Sequence, residues 1–232
     1  MTVPDPPWQA ASRARPARAP LSQDAIVHAA LRVLDRDGSA GLSMRRVADE
    51  LGTGPASLYW HVANKDALVN LIIDRVAGEV PLPEPDPDHW QEQLREWLLG
   101  VRRVFERHPG VAALTLGRVP VGPNLVRLTE WTLGLLRGAG IPDRIAAYAG
   151  DLFGLYLGAT GYEATLPMPS PTGEPRSPEE TVAMLRGYYE SMPADQFPNV
   201  LATLDELFGG GAEERFQLGL DVILRGLASY AR

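Results

Sequence analysis

The chain has 232 residues, 45% of them apolar, and a net charge of −7. That length suits one large domain or two unequal ones with a real core. The absence of cysteine excludes a disulfide framework and thiolate chemistry, and it suits a reducing cytoplasm. Acidity alone argues against a nucleic-acid partner, but it is unevenly spread. Residues 1–77 hold nine basic and eight acidic side chains, whereas residues 78–232 hold thirteen and twenty-one. A near-neutral head therefore precedes an acidic body, and the head is compatible with a polyanion.

Residues 1–20 are proline-rich and carry Arg13, Arg15 and Arg18. They read as a mobile basic arm able to add phosphate or minor-groove contacts, or as a frayed terminus. No apolar segment follows these arginines, so a secretory leader is not expected. A first helix starts after Ser22. Ile26, Ala29, Ala30, Val33 and Leu34 recur at helical spacing, and Gly38 ends it. A second begins after Ser43, with Val47, Ala48 and Leu51 facing inward. Gly52 permits the positive φ of a sharp turn, and Pro55 opens a third helix over 55–61. Asn64 caps a fourth, whose apolar side is Leu68, Leu71, Ile72 and Val76.

Two short helices about a tight turn form a helix-turn-helix, whose second helix presents its N-terminal residues to base edges in the major groove. The edge readers here are Pro55, Ala56 and Ser57, with Arg45 offering the fork that fits guanine. Tyr59, His61 and Lys65, the only lysine, are placed for phosphates. Arg46 is either a further contact or a solvated charge, and Trp60 either touches DNA or plugs the core. Leu58 and Val62 are core, and His28 is an ordinary helix residue.

Residues 81–88 hold four prolines and end the head. Helices follow at 89–107, 111–116, 123–138 and 142–164, then a loop at 165–177 with four prolines. A capping box at Ser177 and Glu180 starts a helix over 178–191, followed by helices at 198–208 and 212–231. No period-2 segment marks a strand, so the expected fold is all-α: an arm at 1–20, a three-helix head at 21–80 and a larger helical bundle at 81–232.

In the body, Gly150, Gly154 and Gly158 form a smooth stripe that lets a second backbone approach. Phe216, Leu220, Ile223, Leu224 and Leu227 give the last helix a wide apolar face. The two helices are candidates for a four-helix dimer interface, or else pack only within the monomer. Arg144, Asp151 and Glu163 break the apolar run, so no membrane span is expected. The four histidines, His28, His61, His89 and His108, lack metal-ligand spacing, and no phosphate loop or nucleophile elbow is present. Neither metal, cofactor nor catalytic set is expected. A small-molecule cavity between bundle helices is, lined by Trp97, Val101, Phe105, Thr115, Arg118, Leu128, Trp131, Phe153 and Tyr156, with Tyr162, Tyr188 and Tyr189 placed to close it. The same aromatics would equally fill a core.

Residues 21–77 resemble the N-terminal domain of the TetR family of bacterial transcriptional repressors, through Gly-Leu-Ser-Met-Arg-Arg-Val-Ala at 41–48 and Ser-Leu-Tyr-Trp-His-Val-Ala-Asn-Lys at 57–65. Leu-Tyr-Trp-His-Val, 58–62, is closest to the tetracycline-repressor branch. His89-Trp90-Gln91, Leu116-Gly117 with Pro120, and the run from Phe216 to Leu227 extend the likeness into the body. The resemblance implies a homodimer on a double-stranded, inverted-repeat operator, released by an effector, with DNA contacts at Met44, Arg45, Pro55, Ala56, Ser57, Tyr59, Trp60, His61 and Lys65. That branch often has glutamine before the proline of its reading helix. Here the reading positions are Pro55 and Ala56, so a tetracycline-type operator is not implied. Its magnesium-binding histidine corresponds to Thr115 and a drug-binding asparagine to Trp97, so a response to magnesium-tetracycline is not expected either. Two alternatives stand: a regulator without an effector, its cavity filled by Trp97 and Trp131, and a helical scaffold or enzyme that has borrowed the head.

Overall fold

The computed structural model describes residues 21–119, 121–166 and 177–231, and every regular element among them is helical. The expected arm at 1–20 and most of the expected loop at 165–177 lie outside the described residues. In the head, α1 (Gln23–Gly41), α2 (Met44–Glu50) and α4 (Lys65–Ala77) each begin on a side-chain cap. Ser22 accepts from the Ala25 amide at 3.1 Å, Ser43 from Arg46 at 3.2 Å and Asn64 from Ala67 at 2.8 Å, each satisfying an amide the helix itself leaves orphaned. Gly38 breaks α1 with φ 68°, and a last turn follows to Gly41. Gly52, φ 62°, makes the turn between α2 and α3 (Pro55–Tyr59). α3 is two residues shorter than expected, because the amides of His61 and Val62 both bond to the Leu58 carbonyl and the chain turns away.

After a 3-10 turn at Pro87–His89, the body runs α5 (Trp90–Arg107), α6 (Pro109–Thr115), α7 (Pro123–Gly138), α8 (Asp143–Glu163), α9 (Pro178–Glu190), α10 (Pro198–Ala202), α11 (Leu204–Phe208) and α12 (Ala212–Ala228). α6 starts earlier than expected, since Pro109 suits the first helical position. The single helix expected over 198–208 is broken at Thr203, whose backbone (φ −117°, ψ 18°) leaves the helical region. The capping box of Ser177 and Glu180 is present. α9 packs on α10 and α11, with Tyr189 edge-on to Phe208 at 5.3 Å and Arg186 bridging Glu190 and Asp205. No described helix is long and apolar enough to cross a membrane.

The head core of Ile26, Val33, Leu34, Val47, Leu58, Leu68 and Ile72 continues into Val104, Val111 and Leu114 of α5 and α6. The proline-rich segment thus changes composition without dividing the packing. A second core joins Trp90, Leu94 and Leu98 to Trp131, Phe153 and Leu157 and to Phe216, Leu220, Leu224 and Leu227 of α12. Arg95 clamps α12 to α5 through Asp221 and Gln217, and Arg102 lies 4.2 Å over the Phe216 ring while pairing with Glu213.

That packing corrects the expected interface residues. Phe216, Leu220, Leu224 and Leu227 are buried inside the single chain, and Ile223 is half-buried against the same core. The glycine stripe is split: Gly158 is buried against α6, whereas Gly150 and Gly154 are exposed. A side chain at Gly158 would come within 2.8 Å of the Thr115 hydroxyl, and Gly150 and Gly154 border the body's cavity. The apolar residues these helices leave in solvent are Tyr148, Leu152 and Leu155 on α8 and Leu218 and Val222 on α12.

Candidate DNA-reading head and effector cavity

The head's arginines divide into two groups. Arg32 and Arg36 hold Glu50 at 2.8 and 3.0 Å, fastening α1 to α2, and these hydrogen bonds, that from Arg32 foremost, lower the Glu50 pKa. Arg46 is paired with Asp37 at 3.2 Å and reaches the Gly41 carbonyl, so it braces α1. Arg45 is free of such bracing: its side chain is 85% exposed, with Asp49 at 4.0 Å. Lys65 is exposed and has no ion-pair partner among the described residues.

Pro55, Ala56, Tyr59 and His61 are exposed, and Ser57 is half-buried, receiving a hydrogen bond from Thr53 at 3.2 Å. Trp60 is 89% exposed, which overturns its reading as a core plug. Leu58 and Val62 are buried and anchor α3 to the head. Met44 is buried as well, so its side chain belongs to the head core and only its backbone, at the start of α2, faces outward chemistry. The face left in solvent carries two cations, three aromatic rings and the start of α3. Phosphate contact needs such cations, and base readout needs a narrow element that enters the groove.

A cavity of about 630 Å³, open to solvent on one side, lies between α4, α5, α6, α7 and α8. Of the nine residues expected to line it, Trp97, Val101, Phe105, Thr115, Arg118, Leu128 and Phe153 do so. Two do not. Trp131 stacks on Trp97 at 5.0 Å but turns its indole N–H to the Pro83 carbonyl at 2.6 Å, outside the lining. Tyr156 stacks on Phe216 and donates its hydroxyl to the Phe216 carbonyl at 2.8 Å, and burial raises its pKa. Each polar end finds a backbone carbonyl outside the cavity lining, which turns the ring away from the cavity.

Sequence reasoning missed Ile73 and Val76 of α4, Leu125, Thr129 and Thr132 of α7, and Leu157 of α8 as lining. Val76 was legible on the apolar side of α4 but was assigned to the head, and Ile73 was not part of that side. Thr115, Thr129 and Thr132 donate to the carbonyls of Ala112, Leu125 and Leu128, so toward the cavity they offer lone pairs. Arg118 is the one cation on the wall, and it reaches Asp66 at 2.8 Å. The Trp97 indole N–H is buried without a partner. Among the described residues no group of three or more His, Cys, Asp or Glu could hold a metal ion, and the Thr115 hydroxyl donates to the Ala112 carbonyl of its own helix.

Residues 26–72 match the model of bacterial regulatory proteins of the tetR family, and residues 82–230 match the tetracyclin repressor-like C-terminal domain. The chain belongs to the TetR family. It is 33% identical over 212 residues to an HTH-type transcriptional regulator of Saccharopolyspora erythraea, covering 91% of this chain and 86% of that one. It is 28% identical to the class D tetracycline repressor of Escherichia coli, covering 89% and 88%. The structure resembles apo ActR of Streptomyces coelicolor with a TM-score of 0.81 and 42% identity, covering 92% of this chain and 97% of that one. Other structures of ActR hold (S)-DNPA and actinorhodin. As a TetR-family protein the chain is a transcriptional regulator with a helix-turn-helix head, and its relatives are regulators rather than enzymes.

Proposed function

We propose that this TetR-family protein is a homodimeric repressor that reads an inverted-repeat operator and leaves it when a small molecule fills the body cavity. The observation that carries the reading is the solvent face of the head, where Arg45, paired only with Asp49 at 4.0 Å, Lys65 and an 89% exposed Trp60 stand exposed in and beside the helix-turn-helix. A large apolar ring held in water costs hydration and is retained where a partner covers it. Arg45, Pro55, Ala56 and Ser57 read bases; Tyr59, Trp60, His61 and Lys65 hold the backbone; Arg46 and Met44 support the head from within.

Two copies of α3 would sit about 34–36 Å apart in successive major grooves. The dimer forms through the exposed apolar residues of α8 and α12, Tyr148, Leu152, Leu155, Leu218 and Val222, in place of the buried set. The effector is a largely apolar, ring-bearing molecule, since seven expected residues line a space of about 630 Å³ with aromatic walls; that structures of ActR hold (S)-DNPA and actinorhodin supports a ligand in this place. That open space counts against the alternative in which Trp97 and Trp131 fill it: their stack at 5.0 Å leaves the cavity unfilled. The protein acts in the cytoplasm, where its operator lies, as an arm-bearing head at 21–80 joined to a body at 81–232.

The deciding experiment is a footprint of the purified protein on its own promoter. A protected inverted repeat with two half-sites one helical turn apart is expected; protection no different from scrambled competitor sinks the reading.

A further inference from the structure

We propose that Asp74 is the positioning residue through which the effector cavity acts on the DNA-reading helix. The proposal rests on the reading of α3 as that helix. α4 belongs to both halves of the molecule. Its Leu68, Val69 and Ile72 are buried in the head core, while Ile73 and Val76 form cavity wall. From the same helix Asp74 reaches across to the start of α7. Its Oδ1 accepts from the backbone amides of Asn124 at 2.9 Å and Leu125 at 3.1 Å. The Asn124 side-chain amide donates back to the Asp74 carbonyl at 3.0 Å and to Oδ2 at 3.1 Å.

These are the second and third amides of α7, which have no partner inside their own helix. Gly122 at the N-cap has no side chain to supply one, and Pro123 has no N–H. A helix that ordinarily caps itself is here capped from another helix, by a carboxylate aligned with its dipole. Gly122 also makes the room, because a Cβ there would overlap the Asp74 carboxylate.

α7 carries Leu125, Leu128, Thr129 and Thr132 into the cavity. A ligand that shifts α7 must therefore strip two backbone amides of their acceptor or carry α4 with it. Stripping them strands half-buried polar groups, so α4 follows, and α4 is seated on α1, which packs on α2, the helix that holds α3. A second polar tether, Arg118 to Asp66 in the first turn of α4, is solvated on the Asp66 side and carries little, and the Glu79 pairs with Arg107 and His108 lie beyond the end of α4 and do not touch α7.

The test compares the full-length wild type with Asp74→Ala, Asp74→Asn and Gly122→Ala by hydrogen exchange, without DNA or ligand. Asp74→Ala should speed exchange in the first turn of α7 and also in residues 55–61, while α12 stays unchanged. Asp74→Asn keeps an oxygen for the two amides and should restore part of the protection. Gly122→Ala should reproduce the loss by pushing the clamp apart. Faster exchange confined to residues 122–126 overturns the proposal, and so does a uniform rise that includes α12. A second arm measures operator affinity with and without actinorhodin as the probe. Where the wild type shows a ratio in the usual range of about 5–150-fold, Asp74→Ala should bring it close to one with little change in probe affinity for the free protein. An unchanged ratio counts against Asp74. A wild type that binds no duplex removes the repressor reading alone, because the exchange arm still decides the clamp.

Discussion

At the scale of single residues, what separates a DNA contact from a structural arginine is the company it keeps. Arg32, Arg36 and Arg46 spend their donors on Glu50 and Asp37, and Arg45 does not. The two exposed cations should behave differently. Arg45→Ala should cost about 1–3 kcal/mol on the operator and little on random duplex, as loss of a base-edge pair does. Lys65→Ala should weaken both alike and lower the salt slope by about one, as loss of a phosphate contact does. Anisotropy titrations on operator and scrambled duplex at several salt concentrations distinguish them; equal losses on both for Arg45→Ala remove its base-reading role. The sequence showed which residues cluster on the head but not how they divide. Met44 is instructive. It lies three and four positions before Val47 and Ala48, so its register is that of their inward face, a signal the reading of Met44 as a DNA contact did not use, and it is found in the core. The family pattern argued the other way. Trp60 was open from sequence because an indole suits either a core or a backbone contact, and only its surroundings decide.

At the scale of helices, caps and turns were legible because they are local. Ser22, Ser43, Asn64 and the Ser177–Glu180 box all act within four residues of themselves, and the structure has each. Which face of a helix meets its own chain is not local. α12 has a wide apolar stripe and a narrow one, and the wide stripe, the stronger signal for an interface, is what the monomer core needs first. The narrow stripe of Leu218 and Val222, with Tyr148, Leu152 and Leu155 on α8, is what remains exposed. Of the small residues on α8 read as an approach for a second chain, Gly158 admits α6, while Gly150 and Gly154 stay exposed at the edge of the cavity. The two stripes give opposite outcomes on substitution. Leu220→Ala should lower folding stability by about 2–5 kcal/mol, the cost of a cavity in a packed core. Leu152→Glu should leave the fold intact but convert dimer to monomer, because a two-fold axis sets two such charges against each other. Sedimentation paired with chemical denaturation checks both, and an unaltered dimer for Leu152→Glu would move the interface elsewhere.

At the scale of the whole molecule, the head and body are one packed object despite the prolines between them, and their ionic seam makes that union depend on pH. Glu79, just past α4, is held by Arg75 from its own helix at 3.4 Å and from the body by Arg107 at 3.3 Å and His108 at 3.2 Å. Burial pushes its carboxyl up, but the hydrogen bonds from His108 and Arg107 outweigh it and the pKa ends below the ordinary value. A carboxyl lowered on folding stabilises above its unfolded pKa of about 4.3, and that stability is lost as the pH falls through the lower folded value, because the unfolded chain takes up the proton first. Glu79→Gln should therefore destabilise the protein at pH 7 and make progressively less difference below about pH 4. Urea denaturation of both proteins across that range reads the effect. Curves that stay a constant distance apart would mean that Glu79 acts through its shape alone. In that case Asp74 and the shared apolar core of α1, α5 and α6 hold head to body, and the seam between them is insensitive to acid.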